Sequence, residues 1–152
     1  MLMPTVVVKL LFEHMPAAIA VGLLFSFYGE GYSLLLVALC FGWLLDVDHY
    51  FDHLLWCRKQ RRNLILKDFF LGTHFKESNK VFVPLHSWEL PTATLLFAQS
   101  SPYMKMEIIC ASIAWLCHIG QDQMSNRPSH LGYFLFYRVY TRFDMARFCG
   151  KH

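Results

Sequence analysis

Three short patterns pair carboxylates with imidazoles: Asp46-Val47-Asp48-His49, His86-Ser87, and His118-Ile119-Gly120-Gln121-Asp122. On a helix, residues three or four apart share a face. His118 and Asp122 therefore project together, as do Asp46 with His49 and Asp48 with Asp52. The patterns lie at three distant points of the chain, each beside an apolar stretch. Helix bundles build carboxylate–histidine metal sites in this way, with ligands projecting inward from facing helices. Imidazole and carboxylate without thiolate suit a catalytic divalent metal. Zinc is favoured, manganese and iron also fit, and a closed structural zinc site does not. The expected ligands are Asp46, Asp48, His49, His86, His118 and Asp122, for one or two ions. His14 is a further candidate, although a single His at a helix end is commonly a cap or an interfacial side chain. Asp52 or Glu89 is placed as general base or as a partner that orients a ligand. Arg127, just beyond Asp122, faces either a substrate phosphate or a lipid headgroup. His53 reads as a plain residue on the loop side.

The elements that must position these residues are apolar. Residues 6–28, 32–45, 91–98 and 106–119 form four hydrophobic stretches, none with the roughly 18–20 clean apolar residues of a simple membrane span. A chain of 152 residues is too short to bury four helices fully. Helices apolar all round in so small a protein need lipid to face. Gly29-Glu30-Gly31 and Ser100-Ser101-Pro102 break the chain within each pair of stretches. The expected fold is all-α: a membrane-embedded bundle of about four helices forming one domain. Its parts are a helical hairpin over 5–54, a basic loop over 55–83, a second hairpin over 84–122 and a tail over 123–152.

Charge placement tests that topology. Arg58, Lys59, Arg61, Arg62, Lys67, Lys76 and Lys80 fall in the central loop, and Arg127, Arg138, Arg142, Arg147 and Lys151 in the tail, while Lys105 stands in a hairpin turn on the other side. An even number of spans puts both termini and the central loop on one face, which the excess of Lys and Arg makes cytoplasmic. The expectation is a multi-pass protein of the inner (plasma) membrane. Residues 133–143 alternate aromatics with arginines and read as an interfacial helix with Arg138 and Arg142 towards lipid phosphates. The first stretch is interrupted by Glu13 and His14, unlike the apolar core of a cleavable signal peptide.

Composition excludes other classes. Hydrophobic residues make up 55% and charged residues 16%, against about 25% charged in an average soluble domain. A disordered chain and a basic nucleic-acid arm are ruled out, so nucleic acid is not an expected partner. The five cysteines are odd in number and form no Cys-x-x-Cys pair, which argues for buried, reduced thiols.

With these motifs in order over roughly residues 10–126, the sequence resembles the predicted inner-membrane metal-dependent hydrolases of the YdjM type. The matching residues are Leu45-Asp46-Val47-Asp48-His49, Leu85-His86-Ser87 and Leu116-Cys117-His118-Ile119-Gly120-Gln121-Asp122, with His14 matching the family's N-terminal His. Leu45 stands where that family often has Pro, and Leu85 where it often has Thr. The resemblance implies a membrane-bound metal-dependent hydrolase. A site at the membrane surface points to membrane lipids as partners and to a lipid-linked or amphipathic phosphoester as substrate. The rival expectation is a non-enzymatic helical membrane subunit whose His and Asp residues hold the bundle together. A transporter fits less well, since transport usually needs polar groups deep within several spans.

Overall fold

The structure is a computed structural model that describes residues 10–150. The fold is all-helical, and the described residues form no β-strand beyond one isolated bridge between Lys80 and Asp144. Helix α1 (Met15–Phe25) lies between two wide π-helical turns, Leu10–His14 and Ser26–Glu30. Helix α2 (Ser33–Gly42) returns antiparallel and continues through a tight turn, Leu44–Asp46, into α3 (Val47–Gln60). Two short helices follow, α4 (Leu66–Phe70) and α5 (Thr73–Ser78). An irregular segment leads to α6 (Glu89–Phe97), then the long α7 (Lys105–Asn126). The tail carries α8 (Leu135–Tyr140) and α9 (Met145–Phe148).

Close packing of small residues fixes the bundle. His14, Ala18 and Gly22 form a buried stripe at spacing four along α1 and the turn before it. Leu34, Ala38 and Gly42 form one on α2, and Cys110, Ala114, His118 and Asp122 one on α7. A Cβ on Gly42 would lie 2.9 Å from the Ala18 Cβ and 3.3 Å from the Ala114 Cβ, so only glycine lets these three helices meet. Stripes of small residues let helix backbones approach closely without a large apolar driving force. The polar residues continue the same stripes, so the contact that packs the helices also gathers His14, His118 and Asp122 at one end. A second core unites Leu45, Trp115, Ile119 and Tyr133, with Leu85, Trp88 and Phe148 against it.

Several expectations change. The first hairpin, expected to end at residue 54, bends by 43° after Gly42 and stays helical to Gln60. The basic segment 55–83 is therefore partly helical rather than a loop. His53 is not a loop residue: it lies on α3 and is fully buried. The helix expected over 133–143 shortens to α8, and Arg138 points inward rather than to lipid phosphates. Cys57 and Cys110 are buried, as expected for free thiols, but Cys40, Cys117 and Cys149 are exposed. No single helix among the described residues is long and apolar enough to cross a membrane; Ser33–Gly42 with Leu44–Gln60 passes that test only as a bent pair.

Candidate metal centre

The helix break after α2 prepares the site. The last carbonyls of a helix lack an intrahelical partner, and the Gly42 carbonyl accepts from His118 Nδ1 at 3.0 Å. A carbonyl only accepts, so Nδ1 carries a proton, which leaves Nε2 as the nitrogen that can offer a lone pair to a metal. His86 is held the same way. Both oxygens of Asp48 lie 3.1 Å from its Nδ1, and Asp48 is itself held by the Leu85 N–H at 3.0 Å. The Nε2 atoms of His86 and His118 then face one another at 3.0 Å. Asp46 Oδ1 lies 3.2 Å from the first and 3.6 Å from the second. Asp122 Oδ2 lies 3.5 Å from His86 Nε2.

This donor set fits a cation. Two imidazole nitrogens and two carboxylates converge in a pocket where His86 and His118 are buried and Asp122 nearly so. Adjacent ligands on a tetrahedral zinc with bonds of 2.0–2.1 Å stand roughly 3.3 Å apart, and the four separations above run from 3.0 to 3.6 Å. Asp46, His86, His118 and Asp122 can therefore hold a metal ion, as can Asp48, His49 and His86 beside them. The donors alone do not decide among zinc, manganese and iron.

Without a metal, protons balance the charge. Burial disfavours the imidazolium of His86, but Asp48 and Asp46 outweigh it and push its pKa up to about 10. Burial likewise opposes ionisation of Asp46, and hydrogen bonds from His118 and His86 outweigh it, holding the carboxyl well below its usual range. Asp122 follows the same logic through His14 and the charges of His86 and His118. Burial, then the charge of His86, lowers the pKa of His49. A metal at this point displaces a proton from His86, so its affinity weakens as pH falls.

The other predicted site residues sit around this core. His14 stacks on His118 with ring centroids 4.0 Å apart, and its Nε2 lies 3.5 Å from Asp122 Oδ1. Its Nδ1 donates to Gln121 Oε1 at 3.2 Å, while Gln121 Nε2 donates to the Glu13 carbonyl. His14 thus orients Asp122 rather than joining the four converging atoms. His49 Nε2 lies 3.5 Å from Asp46 Oδ1, with a quarter of its side chain exposed. Asp46 and His49 form the open side of an otherwise sealed cluster. Asp52 and Glu89 stand outside it. Asp52 accepts from the Phe82 N–H at 3.2 Å and Glu89 from the Phe136 N–H at 3.2 Å. Burial of Asp52 raises its pKa to about 6. Arg127 is exposed and ends α7 in a left-handed conformation.

Sequence reasoning missed three contributors. Tyr133 donates to Asp122 Oδ2 at 3.3 Å, Gln121 orients His14, and Arg138 holds the turn that carries His86. Gln121 was open to inspection, one residue before Asp122 within the third motif. The other two come from a tail whose aromatics and arginines look alike in sequence.

A second imidazole cluster lies along α3. His53 and His74 are buried with ring centroids 5.0 Å apart, among Trp56, Phe69 and Phe75, and His53 Nε2 lies 3.6 Å from Cys57 Sγ. Burial, with the charges of His53 and His49, lowers the pKa of His74 from 6.5 to about 3. The unfolded chain takes up this proton below pH 6.5 and the folded chain resists it until about 3, so the contribution to stability is intact above pH 6.5 and is lost as pH falls through that window. Denaturant midpoints at pH 7 and pH 4.5 should differ in the wild type and differ less in His74→Leu. An equal pH dependence in both proteins would assign the effect elsewhere.

Comparison of the chain with protein-family models, curated proteins and solved structures finds no match.

Proposed function

We propose that this chain is a membrane-bound metal-dependent hydrolase of the YdjM type, acting on a lipid-linked or amphipathic phosphoester at the cytoplasmic face of the inner membrane. The observation that carries this reading is the convergence of Asp46, His86, His118 and Asp122, from three distant parts of the chain, with neighbouring donor atoms 3.0–3.6 Å apart. Zinc is the favoured ion. When bound, it supplies Lewis acidity towards a phosphoryl oxygen.

The chain's own groups provide the rest. His86 and His118 are fixed in orientation by Asp48 and the Gly42 carbonyl, so the centre needs little rearrangement when it fills. The opening between Asp46 and His49 admits substrate, while the remaining sides exclude water. Asp52, one helical turn beyond Asp48, has a pKa near 6 and takes a proton near neutral pH. Glu89 is bound to the tail backbone and serves structure better than proton transfer. Arg127 offers a cation to a phosphate, whether of substrate or of lipid.

The membrane reading draws on side chains exposed where a water-soluble bundle would bury or replace them. Phe27 is 87% exposed, Leu36 66% and Leu96 67%, on three different elements of the bundle. Exposed apolar surface of this extent marks a contact with lipid or a partner. In this arrangement the bundle is embedded through residues 15–28, 33–45, 91–98 and 106–119, with both termini cytoplasmic.

The test uses detergent-purified protein loaded separately with zinc, manganese and iron. Long-chain phosphoesters in mixed micelles should be hydrolysed by the loaded protein and not after chelation, with little turnover of short soluble esters. Protein that holds the metal and hydrolyses neither class would leave the subunit reading in place. Protein recovered in the soluble fraction without detergent would refute the membrane reading.

A further inference from the structure

We propose that the C-terminal tail is a clamp on this centre, in which Arg138 and Tyr133 are positioning residues that hold His86 and Asp122 at bonding separation. The inference rests on the cluster being a metal centre.

His86 needs outside support. It lies in an irregular turn three residues before α6, so no helical ladder fixes its backbone. The tail provides that support along the whole segment. The Val81 N–H donates to the Phe143 carbonyl at 2.9 Å, and the Trp88 N–H to the Tyr133 carbonyl at 3.0 Å. Between them Arg138, only 1% exposed, donates from one terminal nitrogen to the Val83 carbonyl and from the other to the carbonyl of His86 itself, both at 2.7 Å. A guanidinium is a rigid planar fork, so two such bonds fix two carbonyls relative to each other. Burying a cation is costly, and here both terminal nitrogens donate to the turn that carries a ligand, while the buried Nε makes no hydrogen bond.

Tyr133 completes the clamp from the same tail. It is 2% exposed. Its hydroxyl donates to Asp122 Oδ2 at 3.3 Å and receives the Asn126 amide at 2.9 Å. Its backbone carbonyl meanwhile holds Trp88, two residues from His86. One residue thus ties the end of α7 to the His86 turn. Both tail residues contact ligand-bearing groups and are themselves buried, so they act through the ligands.

The experiment compares full-length wild type, Arg138→Gln, Arg138→Lys and Tyr133→Phe in detergent. Zinc affinity is measured by competition with a chelator, coordination by the visible spectrum of the cobalt-loaded protein, and the tail contact by amide hydrogen exchange at His86 and Trp88 without metal. Arg138→Gln and Tyr133→Phe should each weaken zinc binding about 10–100-fold and shift the cobalt spectrum. Arg138→Lys should recover part of the affinity, because an ammonium donates but cannot fork. Exchange at His86 and Trp88 should quicken in Arg138→Gln. Wild-type affinity and spectrum in both Arg138→Gln and Tyr133→Phe would overturn the clamp, as would unchanged exchange. If Arg138→Gln fails to fold, Tyr133→Phe decides, since its ring packing is kept. A wild type that takes up no metal would instead overturn the reading of the centre, and the exchange measurement still judges the clamp.

Discussion

Replacing His118 by Ala should empty the centre, with zinc affinity falling more than about 100-fold, beyond the 10–100-fold typical of losing a group that only orients a ligand. His118 supplies one of two imidazole lone pairs, and its Nε2 lies 3.0 Å from the other. Without it, His86 faces Asp46 and Asp122 alone, and those two carboxylates lose the cation that compensates them. His14→Ala should cost less, within about 10–100-fold, because His14 contacts Asp122 Oδ1 rather than the converging atoms. Metal content after dialysis, followed by chelator competition, separates the two. Equal losses in both variants would show that His14 is a ligand and that the four-atom assignment is wrong.

Replacing Gly42 by Leu should damage fold and centre together. Its Cβ would meet Ala18 at 2.9 Å and Ala114 at 3.3 Å, where α1, α2 and α7 touch. Overpacking of this kind costs typically about 1–3 kcal/mol. The forced separation also moves the Gly42 carbonyl that fixes the His118 ring, so metal affinity should fall with stability. Gly22→Leu is the control. Its Cβ would lie 2.8 Å from the Leu35 Cα, a comparable clash, but Gly22 touches none of the cluster. It should lower the denaturant midpoint while keeping most of the zinc affinity. If Gly22→Leu loses metal as fully as Gly42→Leu, general loosening rather than the displaced carbonyl accounts for the effect.

The residues that converge were legible because spacing on a helix is a strong constraint. His118 and Asp122 had to share a face once 105–126 was helical, and Asp46, Asp48 and His49 had to cluster within one turn. Their common position beside apolar stretches pointed to one end of a bundle. The small-residue stripes through Ala18 and Gly22, Ala38 and Gly42, and Ala114 carried a further signal in the same register. Followed at spacing four, they lead back to His14 and on to His118 with Asp122.

Composition and periodicity alone determined an all-helical chain and a carboxylate–imidazole set drawn from three separate regions. Tertiary structure alone decided which atoms of that set face one another. The Gly42 carbonyl and Asp48 assign the ring protons of His118 and His86, and that choice turns both Nε2 atoms to a common point. It also decided that His53 and Arg138 turn inward, the first among the aromatics of α3–α5 and the second onto the His86 turn. A side chain's direction in a short helix or an irregular segment depends on which backbone groups need a partner nearby. Those groups come from residues far away in the chain, where local spacing carries no information about them.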